Sequence, residues 1–259
     1  MTHYFQLLNS QVRRLLRTSA ILLVCLPAVA QENNSSAPLT ADDVMQRVVA
    51  MNEVRAKALE TYSSLRSYHL ECHCLSHKKA DMVVRADYCT PNKKEFTIVS
   101  ESGSSTVRNR VFKKLLEAEQ ESMREDNQQR SAMTPENYTF QLSDYKQTDM
   151  DEFYVLEAKP RTKNKFLVRG HIWVNAKDFA ITRVEGEPAV NPSWWTLKTD
   201  FKRSYQKVGN FWLPESNESE TKVRIFGTAV LTINYGKYQI TEAPGAKTAF
   251  SSGTPTTGQ

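Results

Sequence analysis

The chain has 259 residues, 40% hydrophobic and 24% charged, with 34 basic against 29 acidic side chains. That is enough apolar material for one sizeable core. The basic residues alternate with acids and never form the sustained stripe that phosphate binding needs, which argues against a nucleic-acid partner.

In chain order, residues 1–30 read as a secretory signal peptide. Arg13, Arg14 and Arg17 precede the apolar run Ala20 to Leu26, and Ala28-Val29-Ala30 is a cleavage pattern. The run is far short of the roughly 20 residues that cross a bilayer, so cleavage is expected over retention as an anchor. Cys25 follows Val24, a poor match to a lipidation site. Without these three arginines the balance falls to 31 basic against 29 acidic residues.

Residues 31–39 are polar and are expected to form a flexible leader. A helix is predicted from Thr40 to about Ser63: Thr40 and Asp43 can make a capping box, and Val44, Val48, Met51, Ala58, Leu59 and Tyr62 recur at helical spacing. From Leu65 the period becomes two. Leu70, Cys72 and Cys74 share one face, as do Met82, Val84, Ala86 and Tyr88, and Phe96 to Val99 follows, giving an antiparallel meander. Val107 to Val111 is read as one more strand, and a second helix is predicted from Lys113 to about Asn127. Thr134-Pro135-Glu136 reads as another helix cap.

Strands are then predicted at Tyr138 to Leu142, Phe153 to Ala158, Phe166 to Val174, Ala180 to Glu185, Trp195 to Ser204, Phe211 to Pro214, Thr221 to Phe226 and Ala229 to Tyr238. Eleven or twelve short strands with two helices imply one large curled sheet and no βαβ units. The domain is expected to span 40–241, and residues 242–259 to be a disordered tail.

Export into an oxidising compartment leaves Cys72, Cys74 and Cys89. Cys72 and Cys74 are poorly placed to bond each other, which makes a bridge from either to Cys89 the expected one. The group Cys72-His73-Cys74 with His77 has metal-ligand chemistry but the wrong geometry, because His73 faces away from both cysteines on a strand. No nucleophile with a base, no carboxylate pair in separated environments and no phosphate loop is present, so neither an enzyme nor a cofactor is expected. The basic loop from Lys159 to Lys165 is a candidate for peripheral membrane contact. Asn191-Pro192-Ser193-Trp194-Trp195 is a candidate ligand mouth or core plug.

The helix ending in Ala58-Leu59-Glu60-Thr61-Tyr62, the hairpin from Gly170 to Gly186, and Phe211-Trp212-Leu213-Pro214 with a closing strand through Ile233 and Tyr235 together resemble the LolA-like lipoprotein-sorting family. The resemblance implies a mainly β (α+β) fold, a half-open curled antiparallel β-barrel with helices covering its concave face. It further implies a monomeric, non-enzymatic periplasmic carrier whose partners are lipid or lipoprotein acyl chains. An apolar cavity gains about 0.8 kcal/mol per buried CH₂, so it can hold such a chain without specific polar contacts. The candidate lining residues are Leu70, Met82, Val84, Phe96, Ile98 and Val168, then Ile172, Val174, Leu197, Leu231 and Ile233, with Val48 and Met51 from the helix above. Arg66 is the candidate for the latch arginine of such carriers. The alternatives on the same scaffold are a sensor module that binds an envelope protein, and a metal or redox protein built on Cys72, Cys74 and His77.

Overall fold

The computed structural model describes residues 39–73, 77–191, 196–225, 227–246, 248 and 250. The signal segment, Cys74, residues 192–195 and residues 251–259 lie outside them.

Helix α1 (Ala41–Ala58) starts at the capping box read from sequence, where the Thr40 side chain accepts from the Asp43 backbone N–H and Asp43 accepts from the Thr40 backbone N–H at 3.0 Å. Val44, Met45, Val48 and Ala58 form its buried stripe. The helix stops at Ala58, five residues short of the predicted end. Leu59 is already extended and opens strand β1 (Leu59–His73), because Leu59 and Thr61 pair with Glu242 and Thr241, and Thr61 also pairs with Cys89. Tyr62 fits both the helical stripe and a two-residue alternation, and strand pairing on both sides decides for the second.

β1 runs antiparallel to β2 (Lys78–Cys89), which pairs with β3 (Lys93–Gly103). A helical stretch follows: α2 (Ser105–Val107), a π-helical turn (Arg108–Phe112), α3 (Lys113–Ser122) and α4 (Glu125–Ser131). The strand expected at Val107 to Val111 is therefore helical, with Val107 and Phe112 buried against β1 and β2. Residues 134–137 form a turn and not a new helix.

The remaining strands are β4 (Tyr138–Gln147), β5 (Glu152–Pro160), β6 (Val168–Asn175), β7 (Ile181–Pro188), β8 (Thr196–Val208), β9 (Phe211–Val223) and β10 (Gly227–Glu242). Two of the predicted strands, at Phe211 and Thr221, are one: β9 continues through Pro214. A register shift opposite Ser204 and Tyr205 accommodates the proline, and β10 pairs with β9 only from Ser216 onward, so no ladder bond needs the missing N–H.

Ten antiparallel strands make one open sheet in the order β3-β2-β1-β10-β9-β8-β7-β6-β5-β4. The fold is thus the mainly β, half-open curled sheet with helices on its inner face. Cross-strand partners share a face. One inner row runs Met82, Tyr68, Ile233, Asn217, Arg203, Val184, Ile172, Leu156 and Leu142 across nine strands. At Gly170 and Gly186, which face each other across β6 and β7, a Cβ would lie 1.9 or 2.0 Å from the neighbouring strand's carbonyl oxygen, so only glycine fits.

The inner face is covered in two halves. Val107, Phe112 and Leu116 from the helical stretch pack on Tyr68, Leu70, Met82, Val84 and Ile233. Val44, Met45 and Val48 of α1 pack on Leu156, Ile172, Val174 and Val184. At one end of the sheet, Ala246 packs with Tyr62, Phe211 and Leu213, and the Phe250 ring stacks edge-on to Phe211 at 5.7 Å. The start of the segment read as a tail thus contacts the core.

Candidate functional site

Between the two covered halves runs a seam along β8, β9 and β10. Its apolar margins are only partly buried: Phe201 and Tyr205 on the α1 side, Leu231, Tyr235 and Phe96 on the side of α3. Its floor is polar. Thr199 and Thr221 meet through their hydroxyls at 3.1 Å, and Ser219, Asn217 and Arg203 continue the strip. Arg203 keeps part of its side chain in solvent, and the field of Tyr205, with Tyr235 and Glu119, raises its pKa against a smaller desolvation by the surrounding strands. Asn217 carries a buried Oδ1 without a hydrogen-bond partner.

A charged cluster clamps α3 to the sheet beside this seam. Arg66 of β1 sits at an inward position of the strand, and its side chain is 1% exposed. Its Nη1 donates to Glu119 Oε1 and Oε2 of α3 at 3.0 and 2.9 Å, while Lys94 Nζ of β3 donates to Glu119 Oε1 at 2.7 Å. The Arg66 guanidinium lies 4.8 Å from the Tyr235 ring centre and 5.5 Å from that of Phe96. Burial favours a neutral Glu119, but Lys94 and Arg66 outweigh it and hold its carboxyl below the usual range. For Arg66 itself burial opposes the charge, and Glu119 with the surrounding tyrosines more than restores it. Two cations on one carboxylate leave the cluster with a surplus positive charge facing the seam.

The sequence-predicted lining residues divide accordingly. Leu70, Met82, Val84 and Ile233 are buried under the helical stretch, with Phe96 and Leu231 at its margin. Val48, Ile172 and Val174 are buried under α1, with Met51 and Val168 at the margin. Ile98 and Leu197 are exposed. The buried members therefore fall into two separate groups, one under each cover, and Phe96 and Leu231 border the seam. Arg66 contacts α3 through Glu119. The polar floor at Arg203 and Asn217 was not foreseen, nor were Glu119 and Lys94 as partners of Arg66. The one available signal was a charged residue at the inward parity of an otherwise apolar alternation, as at Arg66 between Tyr62 and Leu70.

The cysteine expectation is corrected. Cys72 is disulfide-bonded, whereas Cys89 is a free, exposed thiol. Cys72 lies opposite Lys78 near the β1–β2 turn and Cys89 opposite Thr61 at the far end of the same hairpin. Eleven residues of strand separate them, about 36 Å at a rise of ~3.3 Å per residue, against the ~7 Å limit of a bridge. Among the described residues no group of three or more His, Cys, Asp or Glu side chains is placed to hold a metal ion. His73 and His77 meet edge to face, and His69 Nδ1 pairs with Asp81 on an exposed surface at 2.7 Å.

These elements define an open antiparallel half-barrel with inner-face helices and a partly uncovered seam. The chain belongs to the family of unknown function DUF5686, whose model matches residues 80–239. No curated protein matches it. Among solved structures it is similar to a LolA superfamily protein from Nitrosomonas europaea at 10% identity and TM-score 0.35, covering 80% of this chain and 96% of that one. It is similar to a DUF1329 family protein from Desulfovibrio piger at 10% identity and TM-score 0.39, covering 78% and 93%. It is also similar to the MucA/MucB complex of Pseudomonas aeruginosa at 8% identity and TM-score 0.25, covering 79% and 95%.

Proposed function

We propose that this protein is a non-enzymatic binding protein of the bacterial periplasm, exported by its N-terminal signal, that shelters an acyl chain of a lipid or lipoprotein along the seam. The observation that carries the reading is the seam itself, an uncovered strip with Phe201, Tyr205, Leu231 and Tyr235 half-buried along its margins. An alkyl chain laid there would complete the burial of these four side chains, at about 25 cal/mol per Å² of apolar surface removed from water. In the polar floor the Arg203 guanidinium can donate to the ester or carbonyl oxygen of such a ligand, whereas Asn217 Oδ1 accepts and suits an N–H or O–H group. The clamp at Glu119 is the charged part of what holds the cover over β1 to β3, beside the apolar packing of Val107, Phe112 and Leu116, and a longer chain gains access if α3 lifts.

The test is mass spectrometry of the exported protein purified natively from cells with their membranes present. Co-purifying lipid that is lost in Phe201→Glu and Leu231→Glu supports the reading, since both positions are partly exposed and tolerate change better than Val48 or Ile172. A stoichiometric envelope protein recovered without lipid would replace it with the interaction-module reading.

A further inference from the structure

A second hollow lies at the end of α1 and meets the seam only at Tyr205. About 270 Å³ of partly open space is bordered by Asn52, Arg55, Ala56 and Leu59 from α1 and its cap, Ala180 just before β7, Ile181 of β7, Tyr205 of β8, and the start of β9 from Phe211 to Leu213. Apart from Asn52 and Arg55 its walls are mainly hydrocarbon and aromatic. Arg55 also borders a smaller hollow of about 150 Å³ beside Asp178, Lys207 and Phe250.

The Arg55 side chain is 9% exposed, and its charge is only half answered. Nη2 donates to the backbone carbonyl of Asp178 at 2.5 Å, while Nε and Nη1 are buried without partners. The nearest carboxylate oxygen, Asp178 Oδ1, stands 3.7 Å from Nη2. The other oxygen of Asp178 is taken by Lys207 Nζ and by Trp212 Nε1, both at 2.9 Å. One carboxylate thus serves two cations and an indole N–H, and the remaining neighbour, Lys177, is drawn off to Asp151 at 3.4 Å. Burial depresses the Arg55 pKa, an effect that Asp178 opposes without cancelling. A buried guanidinium with two idle donors is a costly arrangement unless a further anion completes it.

We propose that this cavity is a binding site for a small carboxylate with an apolar body, and that Arg55 is its anion receptor. The planar fork of arginine matches a carboxylate in bidentate fashion. At about 30 Å³ per water-sized unit the volume accommodates roughly nine heavy atoms. The hydrocarbon walls select a carboxylate bearing an aliphatic or aromatic group over a bare inorganic anion. The site shares only Tyr205 with the seam and does not rest on the acyl-carrier reading.

Isothermal titration of the full exported chain with octanoate, octan-1-ol, acetate and inorganic phosphate tests the proposal, with Trp212 fluorescence as a local reporter. Octanoate is expected to bind and perturb Trp212, with octan-1-ol and acetate each much weaker. Arg55→Met, which removes the buried charge while keeping the bulk, is expected to weaken octanoate about tenfold to a hundredfold. Ile181→Trp fills the cavity with Arg55 intact and is expected to abolish binding, which keeps the test decisive if Arg55→Met folds poorly. Phe201→Glu in the seam is expected to leave the octanoate-induced change in Trp212 fluorescence in place, whatever it does to heat arising from the seam. Equal binding of octan-1-ol, equal or tighter binding of phosphate, no octanoate-induced Trp212 change, or a Trp212 change lost through Phe201→Glu but not Ile181→Trp would each overturn the assignment.

Discussion

Arg66 and Glu119 are 53 positions apart in sequence, yet one nitrogen of the first reaches both carboxylate oxygens of the second at 3.0 and 2.9 Å. The contact joins the middle of the sheet to the helix that covers its β1–β3 side, and Lys94 binds the same carboxylate from β3. It ties a covering helix to the strand whose Arg66 lies against Tyr235 at the seam margin.

Glu119→Gln should therefore loosen the cover while leaving the strands paired. The expected cost is about 1–3 kcal/mol, less than the ~3–5 of a fully buried pair because Glu119 keeps part of its side chain in solvent. Hydrogen exchange should accelerate across residues 105–122 and stay slow in β8 to β10. The double variant Arg66→Met/Glu119→Gln should recover part of the loss, because it removes the orphaned cation.

The same cluster sets an acid limit. Glu119 has a folded-state pKa depressed below its ordinary 4.5. Its contribution is complete above that ordinary value and is lost as pH falls through the lower folded value. Binding of a hydrophobic dye is expected to rise below about pH 4.5 as the cover releases. Asp178, also depressed against the effect of burial by Lys207 and Trp212, adds to the acid loss. Glu119→Gln should remove the portion of the transition that reports on residues 105–122, and an unchanged acid profile in that variant would separate the cover from the clamp.

Gly186→Ala should be severe. Its Cβ would meet the Arg169 carbonyl oxygen at 2.0 Å, a backbone atom that cannot rotate away. A loss of at least about 1–3 kcal/mol is expected from overpacking. At Gly209, where the nearest atom is a side-chain carbon of Ile240 at 3.8 Å, only the left-handed backbone matters. Gly209→Ala should thus cost about 1 kcal/mol, and thermal melting of the two variants compares them directly.

The cysteines differ in their answer to reduction. Cys89→Ser should change stability by less than about 0.5 kcal/mol, since the thiol is exposed and unbridged. Cys72→Ser removes a disulfide and should cost more than Cys89→Ser. Alkylation of the native protein, followed by peptide mapping, should mark Cys89 and spare Cys72.

Local signals were the readable part of the fold. Thr40 and Asp43 announced the start of α1, and the alternation of Met82, Val84 and Ala86 announced an inner strand face, because each depends on neighbours in sequence. The end of α1 was misread because Tyr62 satisfies two periods at once, and only pairing with Tyr88 and Ile240 chooses between them. Val107 to Val111 was misread because a short apolar run has no period of its own, and it becomes helical where Val107 and Phe112 meet β1 and β2. The seam was illegible for a further reason. Arg203 and Asn217 come together only through the register of β8 on β9, and the half-exposed state of Phe201 and Leu231 depends on where two distant helices stop.

The sheet order places β3 and β4, neighbours in sequence, at its two opposite edges. The helical segment between them is thus the one covalent strap across the gap, and no strand pairing depends on it. A cut within residues 123–135 would leave all nine strand pairings whole, so the two fragments should stay associated as one particle while the opening gains a freedom the intact chain denies it.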